Sequence, residues 1–523
     1  MAIVHRTQNW IITKPHATGR KGMVVAQART AAEAGVAMLE AGGSAADAAV
    51  ATAFALAAVE PWNSGLGGIG FALVHPAGEA ARVVDFGPVS PRRLDPRLFP
   101  IVGGHSEHLF AWPNVQDERN VHGPLSVVIP SAVAGYAELH RRWGRLPLKE
   151  VLAPAIALAR AGLPADWVTA LKLASAAPDL RRYAESARLY LPDGLPPAPP
   201  YVGPPRRLVL GNLPATLERL AEAGPEDFYR GEIAAAIAAD MAEHGGVLDA
   251  ADLAGCAARL TEPSLSPWRD RVIQGAGGLT AAPTMQRVLD HLAGARFGRT
   301  PDAAFFAAFA AAMQRAYGER LAGLGDTTGA APRAAEACTT HLTAVDADGT
   351  MVSMTTTLLS SMGSRMVLPR TGILMNNGVF WFDPRPGRPN SIGPAKRPLC
   401  NMSPVIVTKD GRAEIAAGAS GGRRILAAVL QMLLFVLEFG MDPVAAAHHP
   451  RIDVSGETGV AADPRLPADV LAALREEFGA TEVEHTVMPV NYACPNLIAI
   501  APDGTRTGIS DVVSPWSAAV AQA

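Results

Sequence analysis

The sequence predicts an α+β chain, and three observations carry that prediction. Helical apolar spacing dominates the first two-thirds, strand-like runs crowd the last third, and Asp348-Gly349 sits between two short β-branched runs as a hairpin turn. In order, helices are expected over 30–40, 44–60, 131–143, 148–160, 213–223 and 232–243. Ser44, followed three residues later by Asp47, is a capping start for the second of these. Strands are expected at 70–74 and 82–86, and the proline-dense stretch 192–205 reads as a surface excursion. Further strands follow at 342–345, 352–357, 403–407, 414–417 and 497–501, with a helix over 424–438 among them.

Composition excludes several functions. With 523 residues and 49% hydrophobic content the chain buries a large core, and length alone suggests roughly two to four domains. A net charge of −3 leaves no basic stripe, so nucleic acid is not an expected partner. The four cysteines match neither a CxxC nor a His/Cys metal spacing, so no metal and no cofactor are expected. Residues 1–21 lack an apolar signal core, which makes the cytoplasm the expected location. The apolar stretches 45–59 and 425–439 fall short of the ~20 residues of a membrane span, so buried helices are expected and no membrane association. A homodimer is left open.

The run Cys338-Thr339-Thr340-His341 opens a strand-like segment. A threonine hydroxyl needs an adjacent base, and an N-terminal threonine carries one in its own α-amine, which titrates near ~7.7–8. An internal threonine acquires that amine only if the chain is cut before it. A self-cleaving precursor, cut between Cys338 and Thr339, is therefore one reading; ordinary β-branched strand residues are the other. A two-residue loop would set Ala347 against Thr350, placing Thr339 opposite Leu358 and diagonal to Thr357.

Two other motifs compete. Gly65-Leu66-Gly67-Gly68-Ile69-Gly70 fits a dinucleotide fingerprint, but a helix precedes it and a strand follows, the reverse of what that motif requires. Gly418-Ala419-Ser420-Gly421-Gly422 fits G-x-S-x-G in strand-to-helix context, and Asp442, His448, His449 and Asp453 follow, so a serine esterase with Ser420 as nucleophile is a rival.

Longer patterns decide between these. Gly42-Gly43-Ser44-Ala45-Ala46-Asp47, Val59-Glu60-Pro61, Ser64-Gly65-Leu66-Gly67-Gly68, Phe228-Tyr229-Arg230-Gly231 and Leu324-Gly325-Asp326 precede the threonines. Asn376-Asn377, Lys396-Arg397-Pro398, Met402-Ser403-Pro404 and Gly421-Gly422 follow them. In order and spacing the chain resembles the γ-glutamyltransferase (glutathione hydrolase) family of N-terminal-nucleophile hydrolases. The resemblance implies a four-layer αββα sandwich built from two fragments of one precursor. These are residues 1–338, ending in a mobile tail at 326–338, and residues 339–523. It implies Thr339 as nucleophile, Thr357 as its supporting hydroxyl, and Gly421 and Gly422 as oxyanion donors. The implied partners are a small-molecule amide and the chain's own two fragments.

The family's grips on a glutamyl head do not carry over. Gly87 stands where the family has arginine, and Leu359 where it has asparagine. Gly378 and Trp381 replace a glutamine and an aspartate, and Cys400-Asn401 replace two serines. A zwitterion without partners is costly to desolvate. A changed acyl group in a more apolar pocket is therefore expected, with Leu359, Gly378, Trp381, Cys400, Asn401 and Arg397 as candidate substrate-binding residues. The alternatives are a glutathione hydrolase that uses Arg92, Arg93 or Arg397 for the carboxylate, and an uncleaved, non-catalytic family member. His341 is a candidate tuner of the amine or an ordinary sheet histidine.

Overall fold

The computed structural model describes residues 10–106, 110, 112–324, 339–456, 458–487 and 492–523. Two seven-stranded sheets form its centre. The first runs, edge to edge, Ala518–Ala521, Met23–Ala26, Thr340–Val345, Met351–Thr357, Ile69–His75, Arg82–Phe86 and Arg259–Thr261. The second runs Ala17–Gly19, Arg506–Ser510, Cys494–Ile500, Arg412–Ser420, Val405–Lys409, Arg271–Gly275 and Ser264–Trp268. Strands from before and after residue 339 are interleaved in both sheets, so neither part of the chain owns a sheet.

Strand alternation builds the layers. In the first sheet Leu342, Ala344, Val352 and Met354 face a helical layer, whereas Val345 and Met351 face inward. In the second, Val405, Val407 and Ala417 face another helical layer, whereas Ile406, Ala416 and Ile498 face inward. The inward residues of both sheets join one apolar core, which makes the order αββα. Arg29–Glu40, Ala45–Val59 and Ala132–Trp143 cover the first sheet, and Ala282–Leu292, Ala303–Leu324 and Ile425–Leu437 the second. Ala45–Val59 carries small apolar residues on every face and is buried throughout except at its last residue, behind the Ser44/Asp47 capping box. Among the described residues no helix is long and apolar enough to cross a membrane.

The hairpin register corrects the sequence expectation. Thr340 pairs with Thr356 and Val345 with Met351, so the continuation sets Thr339 opposite Thr357 rather than Leu358. The cause is a three-residue loop. Asp346 N–H donates to the Thr350 carbonyl and Gly349 N–H to the Asp346 carbonyl, while Gly349 takes φ 93°. Asp346 Oδ1 also accepts the Thr350 N–H at 3.0 Å, a side-chain bond that two-residue turn rules do not count. The expected tail 326–338, with Cys338, lies outside the described residues.

Candidate active site

Thr339 stands just before the hairpin's first strand and is 4% exposed. Its Oγ1 lies 3.3 Å from Thr357 Oγ1, at the end of the return strand. Leu359 N–H donates to Thr357 Oγ1 at 2.8 Å, which fixes that hydroxyl beside Thr339. Thr340 points to the opposite face, where its Oγ1 meets Glu60 Oε2 at 2.5 Å and Gln27 Oε1 at 2.9 Å.

The second sheet delivers the glycine loop. Arg412–Ser420 ends at Ser420, and Gly421 and Gly422 follow with φ of 138° and 59°. A Cβ on Gly421 would meet Ala493 Cα and Cβ at 2.7 Å, so both conformation and space demand glycine there. Gln27 Nε2 donates to Ser420 Oγ, and so ties this loop to the threonine hairpin through Thr340. Below it, the His341 ring fills the space where Gly418 would carry a Cβ, at 2.2–2.5 Å. Burial lowers the His341 pKa to about 3, and its Nδ1 bonds Thr355 Oγ1 at 2.9 Å. This is a neutral sheet histidine.

The substrate-binding candidates separate into two groups. Trp381 and Asn401 line a narrow cleft, with about 10 Å³ of free volume, together with Phe110, Trp112, Tyr317, Arg320, Asn390, Leu399 and Arg423. Arg423, directly after the glycine pair, lies over the Phe110 ring at 5.4 Å. Arg320 bonds the Thr280 and Cys400 carbonyls, each at 2.7 Å, and holds that wall together. Burial pushes the Cys400 thiol up to about 12. By contrast Arg397 is held by Asp85 at 3.1 Å, and Arg259 binds the same carboxylate. Gly378 is a packing position, where a Cβ would meet Val128 Cγ2 at 2.4 Å; at Gly87 one would meet Phe71 Cζ at 2.4 Å. Leu359 adopts φ 84°, a region where asparagine is far commoner than leucine.

Neighbouring polar residues are committed to structure. Asn376 Nδ2 bonds the Gly67 and Val128 carbonyls, and Asn377 Nδ2 the Val121 carbonyl and Ser360 Oγ. Arg92 binds Asp252, Arg93 reaches Asp249, and Lys396 Nζ donates to the Ser391 carbonyl. The serine-esterase constellation is not assembled. His448 Nε2 accepts the Lys14 N–H, His449 Nδ1 bonds the Pro450 carbonyl, and Asp442 caps the helix Pro443–His448. The fingerprint glycines lie between helix and strand and serve close packing; a Cβ on Gly67 would meet the Leu374 carbonyl oxygen at 2.2 Å. Reading the sequence for motifs missed Gln27, Glu60 and Arg423. A carboxylate at the C-terminal end of an alanine helix, against the helix dipole, was the one available signal.

Comparison with known proteins agrees with this architecture. The chain is 32% identical to the acylase ACY 1 proenzyme of Pseudomonas sp. (strain V22), covering 97% of this chain and 94% of that one. It is 29% identical to the glutathione hydrolase proenzyme of Escherichia coli (strain K12), covering 94% and 90%. The solved structure of cephalosporin acylase from Bacillus halodurans superposes with a TM-score of 0.85 at 24% identity, covering 99% of each chain. A family model described as Gamma-glutamyltranspeptidase matches residues 31–336 and 328–520. Since those two matches together take in nearly all of the sequence, the chain belongs to the gamma-glutamyltranspeptidase family.

Proposed function

We propose that the protein is a self-processing amidohydrolase with Thr339 as an N-terminal nucleophile, acting on an amide whose acyl group is not γ-glutamyl. The 3.3 Å approach of Thr339 Oγ1 to Thr357 Oγ1 carries the first part, with the Gly421-Gly422 turn tied to the same hairpin. In processing, Thr339 Oγ attacks the Cys338 carbonyl and the scissile C–N bond breaks. The acyl group passes from N to O, which frees the Thr339 amine, and water then hydrolyses the ester, leaving the Cys338 carboxylate and a free Thr339 hydroxyl. In turnover that amine takes the hydroxyl proton as Oγ attacks the substrate carbonyl. The Gly421 and Gly422 N–H groups receive the oxyanion in this scheme. The proton then passes to the leaving amine, and water releases the acid from acyl-Thr339. The purified protein is expected to run as fragments 1–338 and 339–523, the second beginning Thr339-Thr340-His341 on N-terminal sequencing. An intact, fully active chain overturns the mechanism. Interleaving of the two parts in both sheets would hold the fragments together after the cut.

The acyl reading rests on occupied space. Phe71 and Val128 fill the positions where arginine and glutamine would project from residues 87 and 378, and Arg397 is bound to Asp85. Leu359 and Trp381, standing where the family has asparagine and aspartate, favour an apolar acyl group over a charged head. The second reading, a glutathione hydrolase, draws on Arg423, a cation on the wall of the cleft that Trp381 lines. In a panel of anilides the apolar acyl groups are expected to turn over faster than γ-glutamyl. A γ-glutamyl anilide at least as good as the best apolar one returns the protein to the second reading.

A further inference from the structure

Glu60 caps the C-terminal end of Ala45–Val59 and is 4% exposed. Its Oε1 accepts the Asn63 Nδ2–H at 2.7 Å, and its Oε2 lies 2.5 Å from Thr340 Oγ1. The same Thr340 oxygen lies 2.9 Å from Gln27 Oε1, and the Gln27 amide nitrogen donates to Ser420 Oγ. Thr340 has one hydroxyl proton, and both of its neighbours here are acceptor oxygens. If Glu60 is a carboxylate, only one of those contacts is a hydrogen bond. If Glu60 carries a proton, every contact is satisfied in a single direction: Glu60 donates to Thr340, Thr340 to Gln27, and Gln27 to Ser420.

We propose that Glu60 is a positioning residue which works as a neutral acid, heading a buried hydrogen-bond chain that sets Thr339 against the Gly421-Gly422 loop. This rests on the threonine reading above. Thr340, the residue after the nucleophile, takes the bond from Glu60, and Ser420, the residue before the glycine pair, ends the chain, so its direction fixes nucleophile and oxyanion donors relative to each other. The helix end supports the neutral form, because the negative pole of the dipole opposes an anion there. Burial pushes the Glu60 carboxyl up to about 7, against the bonds from Thr340 and Asn63 and the charge of Lys172 on Trp167–Leu180. At the Ser420 end stands the Cys494 thiol, which burial keeps protonated; Lys14 and Asp511 lie around it.

The sign follows from a carboxyl whose pKa is raised. The chain is intact below about pH 7 and loses its direction as Glu60 ionises above it, so kcat of the processed enzyme falls on an alkaline limb near that value. Glu60→Gln presents an N–H to Thr340 and an oxygen to Asn63, as the acid does. It is expected to keep kcat within about twofold near pH 6 and to lose that limb. Glu60→Ala and Thr340→Val are expected to lose about tenfold in kcat, the scale of one hydrogen bond. An infrared difference spectrum, wild type minus Glu60→Gln near pH 6, is expected to show a protonated-carboxyl band. Glu60→Gln falling as far as Glu60→Ala, a limb that persists in Glu60→Gln, or absence of the band overturns the proposal. N-terminal sequencing keeps the two readings apart: a cut at Thr339 with wild-type kcat in Glu60→Ala removes the role of Glu60 and leaves the nucleophile standing, whereas no cut in the wild type removes the nucleophile while the band still reports on Glu60.

Discussion

Thr339→Ala is expected to remain one uncut chain with no measurable amide turnover. The same oxygen serves two reactions in the proposed scheme, so its removal stops processing at the first attack and leaves nothing to form the acyl-enzyme. Loss of a nucleophile of this kind costs on the order of 10⁴–10⁶ in kcat. Thr339→Ser keeps a hydroxyl and an α-amine and is expected to retain both reactions at reduced rate. Folding gives no reason for failure, since the Thr339 methyl and hydroxyl sit at the end of the hairpin rather than within its ladder. A gel showing the two fragments in Thr339→Ala, with turnover preserved, would move the nucleophile elsewhere. Ser420→Ala is the control, because the rival serine mechanism predicts the reverse pattern.

Gly421→Ala is expected to lower kcat by about 10²–10³-fold, the scale of one lost oxyanion donor, with a much smaller change in KM. The reason is geometric. At φ 138° an L side chain is strained, and the added Cβ would stand 2.7 Å from Ala493 Cα and Cβ. The backbone must therefore turn, and its N–H turns away from the point where the oxyanion forms. Self-cleavage passes through the same kind of oxyanion, so fragments are expected to appear more slowly on a gel time course. Near-wild-type kcat with normal processing would remove the glycine pair from the oxyanion role. A melting curve separates this from general unfolding: the loop lies at the end of a strand, so the transition is expected to stay cooperative.

Features that depend on neighbours in the chain were legible from residue order. The capping box at Ser44 and Asp47, the helices Leu213–Ala223 and Glu232–Glu243, the strand Arg82–Phe86 and the glycine turn after Ser420 follow from local rules of capping, period and torsion. The helix Ala303–Leu324 was missed because alanine and phenylalanine on all faces leave no amphipathic contrast, and Ser264–Trp268 and Arg271–Gly275 because paired outer strands show weak alternation. Pro283 to Arg287 lie within the helix Ala282–Leu292, with Thr284 and Met285 buried.

By itself the sequence determined the α+β class, the threonine at the head of a hairpin and the glycine pair, since each is written in local residue patterns, while the αββα order entered only through the family resemblance. Only the tertiary structure decided what long-range contacts control. It moved the hairpin register by one, through the Asp346 side chain, and set Thr357 against Thr339. It committed Arg397 to Asp85, packed Phe71 against Gly87 and Val128 against Gly378, and joined Glu60, Thr340, Gln27 and Ser420 from four separate stretches of chain. The physical reason is that a side chain's role in a buried site depends on which donors and acceptors surround it, and packing of the two sheets supplies those from residues far apart in sequence.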